Sequence, residues 1–131
     1  MIDQEIDEPE TLAQMRAVFE AYERAFVAND IDVLNTYFLD APTTIRYGVA
    51  DMQLGLDELR AYRRSAPATG LERELHETVI TTYGTDMAVA STLFFRDRDA
   101  GKTGRQMQTW TRTTDGWRIV AAHVSVITNP A

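Results

Sequence analysis

The sequence predicts an α+β protein in which N-terminal helices cover one face of a strongly bent antiparallel sheet. Three observations lead there. Leu12, Met15, Phe19, Tyr22 and Phe26 recur at three- and four-residue steps, the period of an amphipathic helix. From Leu75 onward the chain alternates apolar and polar residues over long runs, the period of strands. Asp115-Gly116 sits between two such runs, and this dipeptide supplies the positive φ angles that a tight hairpin turn needs. Helices first and strands afterwards define the class.

Each element has its own local cause. Pro9 suits a first helical turn, and Asp7 and Glu8 before it suit the positive end of a helix dipole. The first helix then runs to about Ala28, with Val18 beside its apolar stripe. Asn29-Asp30 breaks it and caps a short second helix containing Val33, Leu34 and Phe38. Asp40-Ala41-Pro42 is a turn, and Thr43 to Gly48 reads as a strand. Leu54-Gly55-Leu56 leads into a third helix from about Asp57, with Leu59 and Tyr62 inward, stopped near Pro67 and Gly70. A strand from Leu75 to Tyr83 turns at Gly84 and returns through Met87 to Phe95. A charged loop, Arg96 to Gly104, joins it to the final hairpin. No repeat, linker or low-complexity segment interrupts the chain, so residues 1–131 are expected to form a single domain.

The final hairpin is the first pointer to function. With a two-residue loop at Asp115-Gly116, Thr114 faces Trp117, Gln108 faces His123 and Gln106 faces Ser125. One face then carries Gln106, Gln108, Trp110, Ala121, His123 and Ser125, and the other Met107, Thr109, Val120, Ala122, Val124 and Val126. A solvated sheet face would carry plain charges. Amides, an imidazole, a hydroxyl and an indole suit the lining of a pocket. The opposite face, with Met107, Val120 and Val124, is too apolar for solvent, and a two-fold dimer that packs sheet on sheet would cover it.

Bulk properties exclude several classes. The net charge is −7, which disfavours nucleic acid or an anionic membrane as the main partner. Without cysteine there is no disulfide framework, thiol catalysis or thiolate metal site. No apolar run approaches a membrane span and the acidic N-terminus is unlike a signal peptide, so a cytoplasmic location is expected. His76-Glu77 opens like a zinc-protease signature, but Ile80 stands where the second histidine is required. Gly101-Lys102-Thr103 resembles the end of a phosphate-binding loop, yet Arg96 occupies the place of its first glycine. With His76 and His123 as the only histidines, no metal is expected, and no cofactor either.

The order of elements (two helices, a strand, a helix, four long strands) resembles the cone-shaped nuclear transport factor 2-like, or SnoaL-like, fold. In that fold the first helix lids an interior cavity, which gives Tyr22 two readings: a core aromatic, or a buried phenol that donates a proton or hydrogen bond. Arg46 alternates with Thr44 and Gly48 on its strand. It is either an edge arginine reaching solvent or a fixed fork for a carboxylate. Arg60, Arg63 and Arg64 read as a solvated helix face, although any of them can steer an anion toward a cavity mouth. His123, with Gln108 opposite, reads as a pocket wall rather than a base.

Arg46-Tyr-Gly, Leu54-Gly-Leu-Asp-Glu-Leu-Arg-Ala-Tyr-Arg-Arg64, Thr78-Val-Ile-Thr-Thr-Tyr-Gly84, Gly104-Arg-Gln-Met-Gln-Thr-Trp110 and Trp117-Arg-Ile-Val-Ala-Ala-His-Val-Ser125 resemble the AtzH-like family from about Pro9 to Ile127. That family includes HpxZ-type proteins encoded beside oxalurate-degrading amidases, and the chain also resembles the family's namesake. The resemblance implies a decarboxylating amidohydrolase that converts 1,3-dicarboxyurea to allophanate in cyanuric acid catabolism. It implies Tyr22 and Arg46 as the catalytic pair. On that basis Arg46 anchors a carboxylate, Tyr22 delivers or relays a proton, and Gln106, Gln108, His123 and Ser125 orient a small anionic urea-like substrate while Trp110 excludes water. Two other readings stand beside it: a non-catalytic accessory protein bound to an amidase of ureide or oxalurate-type nitrogen catabolism, and an enolising isomerase with Asp40, Asp51 or Glu77 as base.

Overall fold

The computed structural model describes residues 2–67 and 71–130. Gly70, expected near the end of the third helix, and Ala131 lie outside them. Helix α1 spans Pro9–Val27, with Pro9 in its first turn. The Glu8 carboxylate accepts from Glu10 N at 3.3 Å and Thr11 N at 2.9 Å, and thereby caps the helix. Its buried stripe is Thr11, Met15, Phe19, Tyr22 and Ala25, while Phe26 is half-buried. Asn29 takes a left-handed φ of 52°, and its N–H donates to Phe26 O, closing α1. Asp30 then caps α2, Ile31–Thr36, through Val33 N.

Six strands form one sheet: β1 Ile45–Tyr47, β2 Met52–Leu54, β3 Glu74–Tyr83, β4 Met87–Phe95, β5 Lys102–Thr113 and β6 Gly116–Thr128. Their order is β2-β1-β6-β5-β4-β3. The sheet is mixed, not wholly antiparallel as expected, because β1 runs parallel to β6 with Arg46 beside Ala122. The chain between β1 and β6 runs through a helix and four other strands, a connection long enough to bring the two side by side in parallel. Strand β2, too short to show a period in the sequence, pairs back on β1 and sets Gln53 beside Arg46. Helix α3, Leu56–Ser65, follows at once from Gly55, whose φ of 86° turns the chain out of the sheet.

Two bulges bend the sheet. In β3 the register shifts between His76 and Val79, with Glu77 at a left-handed φ of 51°. In β6, Trp110 pairs with Ile119 but Thr109 pairs with Ala121, which leaves Val120 extra. The second bulge corrects the expected faces of the final hairpin. The turn lies one residue earlier than expected, with Thr113 opposite Gly116, fixed by Asp115 N to Thr113 Oγ1 at 3.2 Å and Thr113 Oγ1 to Gly116 O at 2.8 Å. That displacement alone preserves which residues share a face. The extra residue at Val120 reverses it for everything beyond.

As a result Gln106 and Gln108 stay inside, but their neighbours on β6 are Val124 and Ala122. His123 and Ser125 point outward. His123 sits opposite Met107 and edge-on to Tyr47, and Ser125 Oγ accepts from Arg105 Nε at 3.0 Å. The core lies between α1 and the inner face of the sheet, where Met15, Phe19, Leu34, Phe38, Leu59, Trp110, Trp117 and Ile119 pack together.

Candidate active site

A cavity of about 240 Å³ opens where the helices lift away from the sheet. It is smaller than a drug-sized site and suits a compact metabolite. Helix α1 gives Tyr22 and Phe26, β1 gives Arg46, α3 gives Tyr62 and Arg63, and the sheet gives Gln106, Gln108, Ala122 and Val124. Arg73, Phe94, Arg96 and Arg98 close the side formed by the ends of β3 and β4. Five arginines face this space against one carboxylate, Asp51. The chain as a whole carries −7, so the cavity's charge is a local construction opposite in sign to the protein's. A wider groove of about 630 Å³ on the outside, between α2, α3 and the β5–β6 turn, mixes Arg60, Arg64 and Arg118 with Asp32, Asp40 and Asp115 and offers no such bias.

At one end, Arg46 Nη1 donates to Asp51 Oδ1 at 2.8 Å and to Gln53 Oε1 at 3.0 Å. Gln53 Nε2 donates to the same Asp51 oxygen at 2.8 Å, and the Tyr62 ring lies 5.3 Å from the guanidinium. Burial works to raise the Asp51 carboxyl, but the Gln53 amide, the Arg46 charge and the Tyr62 hydroxyl outweigh it, and the group is held below the usual carboxylate range. It is therefore a weak base. Among the described residues, Arg46 uses one nitrogen of its fork for these bonds, and the rest of the fork is available to a ligand.

Beside this pair lies Arg63, 8% exposed, with its guanidinium 5.3 Å from the Phe38 ring centre. Its Nε and Nη2 are buried and have no hydrogen-bond partner among the described residues. Burial lowers its basicity most. The Tyr22 phenol opposes that fall, and the charge of Arg46 adds to it. Tyr22 itself is 4% exposed, boxed by Phe19, Tyr37, Phe38 and Trp110 at 5.9 to 6.5 Å between ring centres. This box fixes the ring and leaves the hydroxyl as its polar end at the cavity wall.

At the other end, Arg73 is held through two of its nitrogens. It donates to Glu23 from Nε at 2.9 Å and Nη2 at 2.6 Å and to Gln106 Oε1 at 3.2 Å, and it lies against the rings of Phe26 and Phe94. Arg96 lies on the same Phe94 ring at 5.0 Å, and its buried Nε lacks a partner among the described residues. Burial lowers its basicity most, followed by the charges of Arg73 and Arg98.

Residues 4–130 match the AtzH-like family. The chain belongs to that family. Among solved structures, it is 48% identical to a protein of unknown function from Pectobacterium atrosepticum, covering 98% of this chain and 99% of that one with a TM-score of 0.94. A cystatin-like fold protein from Burkholderia xenovorans is also 48% identical, over 97% and 99%, with a TM-score of 0.92. A nuclear transport factor 2-like protein of unknown function from Pseudomonas putida, 18% identical over 88% and 86% with a TM-score of 0.74, shares the fold. Among curated proteins none matches. The expected α+β cone of the nuclear transport factor 2-like class is thus the fold of this AtzH-like protein.

Within this AtzH-like cone, the structure brings Tyr22, Arg46, Gln106 and Gln108 to one cavity wall. It removes His123 and Ser125 from it, for the reason given by the β6 bulge. Trp110 is fully buried behind the wall and donates Nε1 to Gln108 Oε1 at 3.1 Å, so it orients that amide from behind the cavity surface. Of the alternative bases, Asp40 and Glu77 are exposed, and Asp51 is tied to Arg46. The sequence places Arg63 on a solvated helix face, which the structure corrects, and does not point to Arg73 or Arg96. Arg63 had a signal: with Leu56 and Leu59 it completes an i, i+3, i+7 stripe, the buried face of α3.

Proposed function

We propose that this AtzH-like protein is a decarboxylating amidohydrolase that converts 1,3-dicarboxyurea to allophanate, as part of cyanuric acid catabolism. The observation that carries the reading is a buried phenol, Tyr22, beside the buried guanidinium of Arg63, whose Nε and Nη2 lack partners among the described residues, at the cationic end of the cavity. A buried cation without a partner costs several kcal/mol, which an anionic ligand can offset.

The substrate is an N-carboxylated urea, and its C–N bond to carboxyl breaks readily once the nitrogen gains a proton. Arg46 and Arg63 hold one carboxylate. The Tyr22 hydroxyl passes its proton to the adjacent nitrogen, the electron pair of the C–N bond moves onto that nitrogen, and carbon dioxide departs. Tyr22 recovers a proton from solvent, so the dianion and one proton give allophanate and carbon dioxide. Arg63 stands where negative charge develops on the phenol oxygen, a placement that favours the transition state. Gln106 and Gln108 orient the urea core. The step asks for an anion anchor and a placed proton, and these residues supply both.

The test is carbon dioxide release from freshly generated 1,3-dicarboxyurea with the protein, with Tyr22→Phe and with Arg46→Ala. Acceleration lost in both variants supports the reading. Full turnover in both, or no acceleration by the wild-type protein, overturns it, and the second result favours an accessory role beside an amidase. We also propose a homodimer that covers the outer sheet face, where Met107 is 56% and Val79 55% exposed. Light scattering on the purified protein reads its mass directly, and a monomer at micromolar concentration would refute it.

A further inference from the structure

The end of the cavity away from Tyr22 is built as carefully as the first, and the mechanism above uses only Gln106 of it. Its parts are Arg73, Glu23, Phe94, Arg96 and Gln106. Arg73 is a strut: the Glu23 carboxylate takes two of its N–H groups, and Gln106 Oε1 takes a third contact. This fixes which way the Gln106 amide points. With Oε1 committed to Arg73, Nε2 is the free end, and it is buried without a partner among the described residues. Arg96 adds a second buried donor, Nε, and shares the Phe94 ring with Arg73. Phe94 is itself held by the absence of a side chain at Gly104, where a Cβ would come within 2.3 Å of the ring. Two donors without partners among the described residues, one of them charged, therefore line the same cavity beside a packed aromatic and an engaged ion pair.

We propose that Arg96 and Gln106 form a second carboxylate subsite, so that the cavity selects ligands with an anionic group at both ends. This deepens the reading above and rests on the same cavity. Tyr22 touches Trp110, and along β5 the inward row runs Trp110, Gln108, Gln106. Inward residues on a strand are about 7 Å apart. Arg46 pairs with Ala122, which pairs with Gln108, so Gln106 lies one such step from the Arg46 row, about the reach of a five-carbon dianion. In the proposed reaction the first carboxylate leaves as carbon dioxide, and the second subsite keeps the carboxylate that the product retains. Arg96 and Gln106 are then specificity residues, and Glu23 and Arg73 are positioning residues that act through Gln106.

Glutarate and pentanoate make a matched pair of inert probes, equal in chain length and differing by one carboxylate. Titrations followed by amide chemical shifts measure both affinities in the wild-type protein, Arg96→Gln and Gln106→Glu. The expected result is a wild-type preference for glutarate of about tenfold or more, the scale of a charge-assisted contact. Arg96→Gln should reduce glutarate affinity to near that of pentanoate and leave pentanoate unchanged. Gln106→Glu, close in shape but placing a carboxylate at the subsite, should do the same and keeps the test open if the first variant fails to fold. Equal binding of the two probes by the wild-type protein, or variants that weaken both probes alike, would overturn the proposal. The probes do not react, so a failed carbon dioxide assay and a failed subsite are separate results.

Discussion

The two ends of the cavity repeat one device with different outcomes. Each pairs an engaged arginine with one that has a buried unpartnered nitrogen: Arg46 with Arg63 at the first, Arg73 with Arg96 at the second. At each, the engaged arginine holds a glutamine by its side-chain oxygen, Gln53 or Gln106. The difference is the phenol. Tyr22 stands beside Arg63, and no tyrosine lines the second end among the described residues. On the proposed reading the first end moves a proton and the second binds. In that proposal, the placement of one acidic hydroxyl separates a catalytic end of a cationic cavity from a binding end.

The sharpest way to break this comparison is Tyr22→Phe, which removes the phenol and keeps the aromatic box. Turnover should fall about 10²- to 10⁴-fold, the usual contribution of a placed proton donor, with glutarate affinity nearly unchanged in the same titration. Next comes Glu23→Gln, which breaks the mostly buried pair with Arg73. It should lower unfolding free energy by about 3 kcal/mol, read by urea denaturation, and weaken glutarate more than pentanoate because Gln106 loses its support.

Arg63→Met separates stability from function. It replaces a buried cation, two of whose nitrogens lack partners among the described residues, with an apolar chain of similar length, so the melting temperature should rise by a few degrees, on the order of 1 kcal/mol, while turnover collapses. A drop in both would mean that Arg63 is satisfied in the folded protein. Acid sensitivity is a smaller effect. The folded-state pKa of Asp51 is lowered, so its contribution to stability is present above the ordinary carboxyl range of about 4 and is lost as pH falls through the lowered value. Asp51→Asn should therefore flatten the acid limb of stability against pH. The smallest effect belongs to His123→Ala, on the outer face, which should change turnover less than about twofold and stability by under about 0.5 kcal/mol.

Legibility in the sequence followed the range of the interaction. Helix α1, its stop at Asn29-Asp30 and the hairpin near Asp115-Gly116 rest on periodicity, capping and turn chemistry, all of which act over a few residues. Tyr22 and Arg46 were visible as candidates because one lies on a helical stripe and the other on a short strand. Arg63 was legible in principle from its stripe but read as one of three exposed arginines. The bulge at Val120 was not legible: Ala122 and Val124 form the more apolar parity beyond it, but only the pairing with β5 shows that this parity turns inward on the same side as Gln106 and Gln108. Arg73 and Arg96 were hidden for another reason. One bonds to Glu23, fifty residues away, and the other meets its neighbours only when β3 and β4 pair end to end.

What the sequence by itself determined is the α+β class, the order of the helices and long strands, and the family, because local periods and turn residues act before the chain has a tertiary structure. What only the tertiary structure decided is which face of β6 looks inward and which of the thirteen cationic side chains of an acidic protein converge on one cavity. Those depend on a single extra residue in a strand and on contacts across tens of residues, whose energies exist only once the sheet has bent around its core.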